Sequence, residues 1–327
     1  MKNKPLTIGN TIIQPGERVT LGLPTPELSS YISMHIPIHV IHGKKEGPCL
    51  LISGALHGDE MNGIEIIHKL LGSKYLNSLC GTLIAVPALN VYGLMTLTRN
   101  LPDRRDLDGS FPGTESGSFT GRLAHYFTQE ILSLATHCID IHTGGAHQCS
   151  LPQIHAPLKQ DETKELAKAF QSYVVKNDDS DRGLLWKNRD GVPTLIYEAG
   201  EPLRLDDRSI RTGFRGILRV MRHLNMLKMS TRYAEFNPVM TRKSEWVYSA
   251  GSGLCRLFKK LGMTVQEGER IAEVYDPFGT ERKFDVISPC RGVILSQTTL
   301  PLVNEGDPIV QVAPTESDVS KELWNEE

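Results

Sequence analysis

Short apolar runs alternate with helical patterns along the first 235 or so residues, and this alternation limits the fold more than any other feature of the sequence. The runs are IPIHVIHG (36–43), CLLISGAL (49–56), TLIAVPAL (82–89), HCIDIH (137–142) and PTLIYEA (193–199). Several are apolar on both faces, as strands buried between two layers are. Between them, residues 61–71, 122–135, 162–174 and 206–227 place apolar side chains at three and four spacing, the mark of an amphipathic helix. Strand and helix in turn predict an α/β fold with a mixed, mostly parallel sheet flanked by helices. One connection, NLPDRRDLDGSFPGTESGSFTG (100–121), is too long for a plain link and reads as functional or disordered.

In open α/β sheets ligands gather beyond the carboxyl ends of the strands, so residues delivered there are the candidates for chemistry. The second run ends in GALHGDEMNG, where His57 and Glu60 stand three apart at a strand-to-helix junction and can turn onto one point. The fourth ends in DIHTGG and delivers His142. Two histidines and one carboxylate make a catalytic zinc set that leaves the fourth position open for water. Asp140, two residues before His142, shares its face and can orient the imidazole from behind. The fifth run brings Glu198, within YEAG, to the same crevice. His68 is turned away from Glu60 by its helical spacing, and His147 and His155 read as part of a polar loop after DIHTGG. All three stay out of the metal set.

After about Pro238 the texture changes to short β runs with glycine turns. Residues 264–274 (TVQEGERIAEV) recur as 302–312 (LVNEGDPIVQV), an offset of 38, which predicts a small pseudo-symmetric β-sandwich. The half-repeat resembles the biotinyl and lipoyl carrier fold, and DVISPCRGVI (285–294) matches the segment that follows the carrier lysine there. The hairpin tip at 276–280 reads DPFGT, however, and Lys283 is too near the Ser288-Pro289 turn, so a structural or gating role is expected. Lys plus Arg number 36 against 38 Asp plus Glu, a balance of −2 that offers nothing to a nucleic acid. The start has no apolar segment of signal-peptide length and no window approaches a membrane span, so a cytoplasmic protein without membrane association is expected. The six cysteines lack a CxxC spacing and suggest reduced core residues.

Taken in order, GALHGDE, the TR before DL in TLTRNLPDRRDLDGSFPG, DIHTGG and YEAG resemble the succinylglutamate desuccinylase and aspartoacylase branch of the zinc carboxypeptidase superfamily. The resemblance covers essentially the whole chain. It implies that His57, Glu60 and His142 bind one Zn²⁺ per chain, that Glu198 is the general base and acid, and that Arg99 polarises the scissile carbonyl and stabilises the oxyanion. It also implies a zinc-dependent amidohydrolase domain over 1–236 and a small barrel-sandwich, lipoyl-like β-domain over 237–315, while the composition of residues 316–327 reads as a solvated acidic tail. The expected substrate is a small N-acyl amino acid or related amine, cleaved by metal-activated water without a covalent intermediate. No GxSxG elbow competes for the role of nucleophile. The neighbouring readings are a metallocarboxypeptidase on short peptides and a catalytically weak metal-binding scaffold. Assembly as a homo-oligomer through the β-domain is compatible with the sequence.

One motif departs from the family. Where DLNR is usual, this chain has Asp106-Leu-Asp108-Gly109, so the fork that would grip a substrate carboxylate is missing. Asp108 would repel a carboxylate and suits an amine-bearing substrate. Arg104, Arg105, Arg122 and Arg189 are the replacement anchors that the sequence offers, Arg189 because it stands nine residues before Glu198.

Overall fold

The apolar runs become the middle of one large sheet. In the computed structural model residues 1–28, 31, 34–180, 182–228, 238–279 and 282–315 are described, and of Arg189 only the backbone. The main strands are β1 (Arg18–Pro24), β2 (His35–His42), β3 (Lys45–Gly54), β4 (Cys80–Val86), β5 (His137–His142), β6 (Gln148–Ala156) and β7 (Thr194–Gly200). Three C-terminal strands join them: β8 (Glu245–Tyr248), β9 (Gly292–Thr298) and β10 (Pro308–Pro314). Their spatial order is β8-β10-β9-β6-β7-β5-β3-β4-β2-β1. The pairs β7-β5, β5-β3 and β3-β4 are parallel, and the pairs outside them on this path are antiparallel. The sheet is therefore mixed, with its parallel strands at the centre where both faces are covered.

Helices α1 (Asn62–Leu71), α2 (Val91–Thr96), α3 (Phe119–Glu130), α4 (Asp161–Phe170) and α5 (Asp207–His223) supply that cover. On one face Ile66 and Leu70 of α1, Leu166 and Phe170 of α4, and Ile217 and Met221 of α5 bury Ile52, Ile139, Leu195 and Tyr197. On the other, Tyr92 of α2 and Leu123 and Phe127 of α3 bury Leu51, Ile84 and Cys138. The apolar spacing located the helices and local chemistry set their ends. α3 begins before residue 122 because the Ser118 side chain accepts from the Gly121 N–H, and α5 opens where the Asp206 side chain accepts from the Ser209 N–H. α4 stops at Phe170 with Gln171 left-handed, and Val174 then starts a separate strand, Val174–Asn177.

β6 is the element that the sequence reading placed in a polar loop. Its sequence, QCSLPQIHA, has a proline at its centre, which argues against an interior strand. The register explains how the strand tolerates it. Gln153 faces Glu198 and Ser150 faces Gly200 across a bulge, so Pro152 sits where ladder pairing with β7 is interrupted. β9 pairs only residues 148–150 of β6, and the Val174–Asn177 strand pairs only from Gln153 onward.

The C-terminal segment is all β, as expected. Gly253–Leu257, Arg270–Tyr275, Lys283–Ile287 and Leu302–Val303 form a separate antiparallel sheet. Val265, Ile271, Val274, Ile294, Val303 and Val312 share its apolar core. The repeat is visible as two copies of one turn. Glu269 N–H reaches Gln266 O and Asp307 N–H reaches Asn304 O, both at 3.1 Å, around Gly268 and Gly306 at φ of 78° and 84°. Through β9 this segment also continues the main sheet, covering what would otherwise be an open edge of β6. The boundary expected at 236/237 falls within residues 229–237, and the acidic tail at 316–327; both lie outside the described residues. No helix among the described residues is long and apolar enough to cross a membrane.

Candidate active site

β3 exits through Ala55, held at a φ of 42° while its carbonyl accepts the Asn90 N–H at 2.9 Å. The next turn is closed by the Glu60 N–H on the His57 carbonyl at 3.1 Å, which brings both side chains to one point before α1 begins. There His57 Nδ1 lies 2.7 Å from Glu60 Oε1, and His142 Nδ1, from the end of β5, lies 3.0 Å from Glu60 Oε2. The Thr143 N–H also donates to Glu60 Oε2 at 3.0 Å. One ligand atom from each of His57, Glu60 and His142 lies within 4.8 Å of the others, and each of the three residues is at most 3% exposed.

The far side of each imidazole is also held. Asp140 Oδ2 lies 2.9 Å from His142 Nε2, and Asp140 Oδ1 accepts from Ser53 Oγ at 2.6 Å. Asp106 Oδ1 lies 3.1 Å from His57 Nε2. The sequence had singled out Asp140 for such a place but not Asp106, whose only signal was its position in the DL of the long loop. Burial works against a charge on either imidazole. Even so, the pKa of His57 is raised by Glu60 and Asp106, and that of His142 is raised well above the ordinary histidine value by Asp140 and Glu60. Burial likewise opposes ionisation of Glu60, yet the two imidazoles hold its carboxyl far below the usual carboxylate range. Three carboxylates around two buried rings call for positive charge, and this donor set fits a divalent cation. Both Nδ1 atoms and the Glu60 carboxylate face inward, while both Nε2 atoms already have carboxylate partners.

Glu198 stands beside this cluster because the β7-β5 register places it next to His142. Its Oε1 accepts from Ser150 Oγ at 3.0 Å and from Gln153 Nε2 at 3.1 Å, both on β6. Ser150 in turn lies 2.8 Å from Ser296 Oγ of β9, so the C-terminal segment reaches the site through one hydroxyl pair. Arg99, 40% exposed, donates through Nε to Asp106 Oδ2 at 3.0 Å and through Nη1 to Glu60 Oε1 at 3.4 Å. The long loop, with Arg99 at its start, thus delivers Arg99, Asp106 and Asp108 together. Asp108 is 9% exposed, and its Oδ1 has no hydrogen-bond partner among the described residues. It faces Gly183, where φ is +50° and a Cβ would overlap that oxygen. The Arg189 side chain lies outside the described residues. The arginine that the fold does bring here is Arg182, which the sequence reading missed; its charge interacts with Glu198, Asp178 and Asp108. His155 does not lie in a loop after DIHTGG. It is a buried residue of β6, outside the metal cluster but 3.8 Å from Glu198 Oε2. Cys149, the thiol next to Ser150, has its pKa pushed up to about 11 by burial and offers no thiolate near neutral pH.

Residues 46–224 match the succinylglutamate desuccinylase/aspartoacylase catalytic domain. The chain is 28% identical over 299 residues to an N-alpha-acetyl-L-2,4-diaminobutyric acid deacetylase of Halomonas elongata, covering 87% of each sequence. Its fold is similar to a succinylglutamate desuccinylase/aspartoacylase of Rhodobacter sphaeroides, with a TM-score of 0.83, 25% identity, and 94% of this chain and 99% of that one covered. It is also similar to the ectoine utilization protein EutE (DoeB) of Ruegeria pomeroyi in a product-bound structure, with a TM-score of 0.81, 27% identity, and 95% and 98% covered.

Proposed function

The chain belongs to the succinylglutamate desuccinylase/aspartoacylase family and is a hydrolase of amide bonds, and from that premise we propose that it is a zinc-dependent deacylase whose substrate is an N-acyl diamino acid. The observation that carries this reading is the convergence of His57, Glu60 and His142 beside Glu198 at the ends of neighbouring strands. Zn²⁺ held by His57, Glu60 and His142 would supply a Lewis acid for the carbonyl and a more acidic water. Asp106 and Asp140 keep the two imidazoles oriented. Glu198 takes the proton of the attacking water and returns it to the leaving amine. Its Oε1 is already occupied by Ser150 and Gln153, which leaves Oε2 as the oxygen that moves the proton. Arg99, tethered by Asp106, presents its guanidinium to the carbonyl oxygen as that oxygen turns negative.

The amine half of the substrate follows from Asp108. Its negative charge would oppose a substrate carboxylate and favour the second ammonium of a diamino acid. The Halomonas elongata relative is named for a substrate of that kind. The test is turnover of N-α-acetyl-2,4-diaminobutyrate, neutral N-acetyl amino acids, N-acetylaspartate and short peptides by wild type and Asp108→Asn. The expected result is wild-type preference for the diamino substrate. Asp108→Asn should lower kcat/KM on it by about tenfold to hundredfold, the loss of a charged hydrogen bond, and change neutral substrates by less than about threefold. Wild-type preference for N-acetylaspartate or for peptides would contradict the reading.

A further inference from the structure

Glu198 has one oxygen held and, among the described residues, one without a hydrogen-bond partner. Ser150 and Gln153 both donate to Oε1, while Oε2 faces the His155 ring with Nε2 3.8 Å away. His155 is 5% exposed and sits two residues after Gln153 on the same face of β6. Its Nδ1 lies 2.9 Å from Arg182 Nη2. A guanidinium only donates, so Nδ1 accepts and the ring proton is on Nε2. Arg182 is fixed in turn by Asp178, whose Oδ2 accepts from Arg182 Nε at 3.1 Å and lies 3.5 Å from His155 Nδ1. The result is a chain of contacts, Asp178 to Arg182 to His155, that ends in a buried N–H with no acceptor among the described residues, aimed at Glu198.

We propose that His155 is a positioning residue for Glu198: its Nε2–H, oriented by Arg182, donates to one lone pair of Glu198 Oε2, fixes the rotation of the carboxylate and leaves the other lone pair of that oxygen to move the proton. The inference rests on the proposed role of Glu198 as base. Oε1 alone is a single pivot, and a carboxylate held on one oxygen can turn about it. A donor on the second oxygen removes that freedom. The donor must also be neutral, because an imidazolium beside the base would compete for the proton's place. Burial lowers the His155 pKa; Arg182 and Lys176 act in the same sense, and Glu198 and Asp178 oppose. An uncharged ring therefore holds the base without protonating it.

Two variants separate positioning from bulk. His155→Phe keeps the ring volume and removes the donor, and His155→Gln restores a donor at a similar reach. On the preferred N-acyl substrate His155→Phe should lower kcat by about tenfold to hundredfold, with KM within about twofold and zinc content unchanged. His155→Gln should recover most of that loss. A kcat for His155→Phe within about twofold of wild type, or equal loss in both variants, would overturn the proposal. Glu198→Gln assayed in parallel keeps the two ideas apart: turnover retained there would remove the base, whereas turnover lost there but intact in His155→Phe would remove only His155. Nitrogen-15 spectra of the wild-type imidazole give a reading that needs no variant to fold. A neutral ring protonated at Nε2 is expected near neutral pH, and protonation at Nδ1, or at both nitrogens, would overturn the proposal.

Discussion

The two halves of the site are built on opposite plans. The half that would hold metal is short-range: His57 and Glu60 are three residues apart in one turn, and His142 and Asp140 lie two apart on one strand. The half around Glu198 is assembled from distant pieces. Its oxygen is held by residues 45 and 48 positions away, and the hydroxyl behind Ser150 belongs to Ser296, a further 146 positions along the chain. The local half takes Glu60 and Asp140 from strand ends and only Asp106 from a distant loop, whereas the distant half depends on β6 and β9 being present and correctly registered. Damage to the two halves should therefore show in different measurements. Changes to the local half should alter metal affinity first, and changes to the distant half should alter turnover while leaving the metal in place.

Among residues one step behind the metal ligands and Glu198, the largest effect is expected at the carboxylates behind the imidazoles. Asp140→Asn removes the charge that orients His142, and zinc affinity measured by competition with a chelator should fall by about tenfold to hundredfold. Unchanged affinity would mean that the two strand-end histidines do not depend on their rear partners. Ser296→Ala acts on the other half and at the greatest remove. The Ser150 hydroxyl would lose one of its two partners, a change of about 1 kcal/mol, so kcat should fall by roughly fivefold with zinc affinity unaltered. A loss of zinc in that variant would blur the division between the halves.

The same division accounts for what the sequence disclosed. Strands β2 to β5 and β7 stood out as apolar runs because both faces of the central sheet are buried, and the residues at their carboxyl ends could be picked out as one crevice. β6 gave no such signal. Ser150, Gln153 and His155 are polar because they face Glu198, and Pro152 sits at a bulge, so a central strand has the composition of a loop. Asp106 and Arg182 were hidden for a related reason. Each lies in an irregular segment whose path depends on tertiary contacts, and no periodicity marks a residue whose partner is 49 or 27 positions away. Asp108 was legible only as a departure from a motif. Its buried, unpaired oxygen beside Gly183 could be seen only in three dimensions.

Zinc content and turnover measured together on Glu198→Gln and His142→Ala test the central claim most directly. Glu198→Gln should retain about one zinc per chain while kcat falls by roughly 10² to 10⁴, and His142→Ala should lose both metal and turnover. Turnover preserved in Glu198→Gln, or zinc bound as tightly by His142→Ala as by wild type, would contradict that claim.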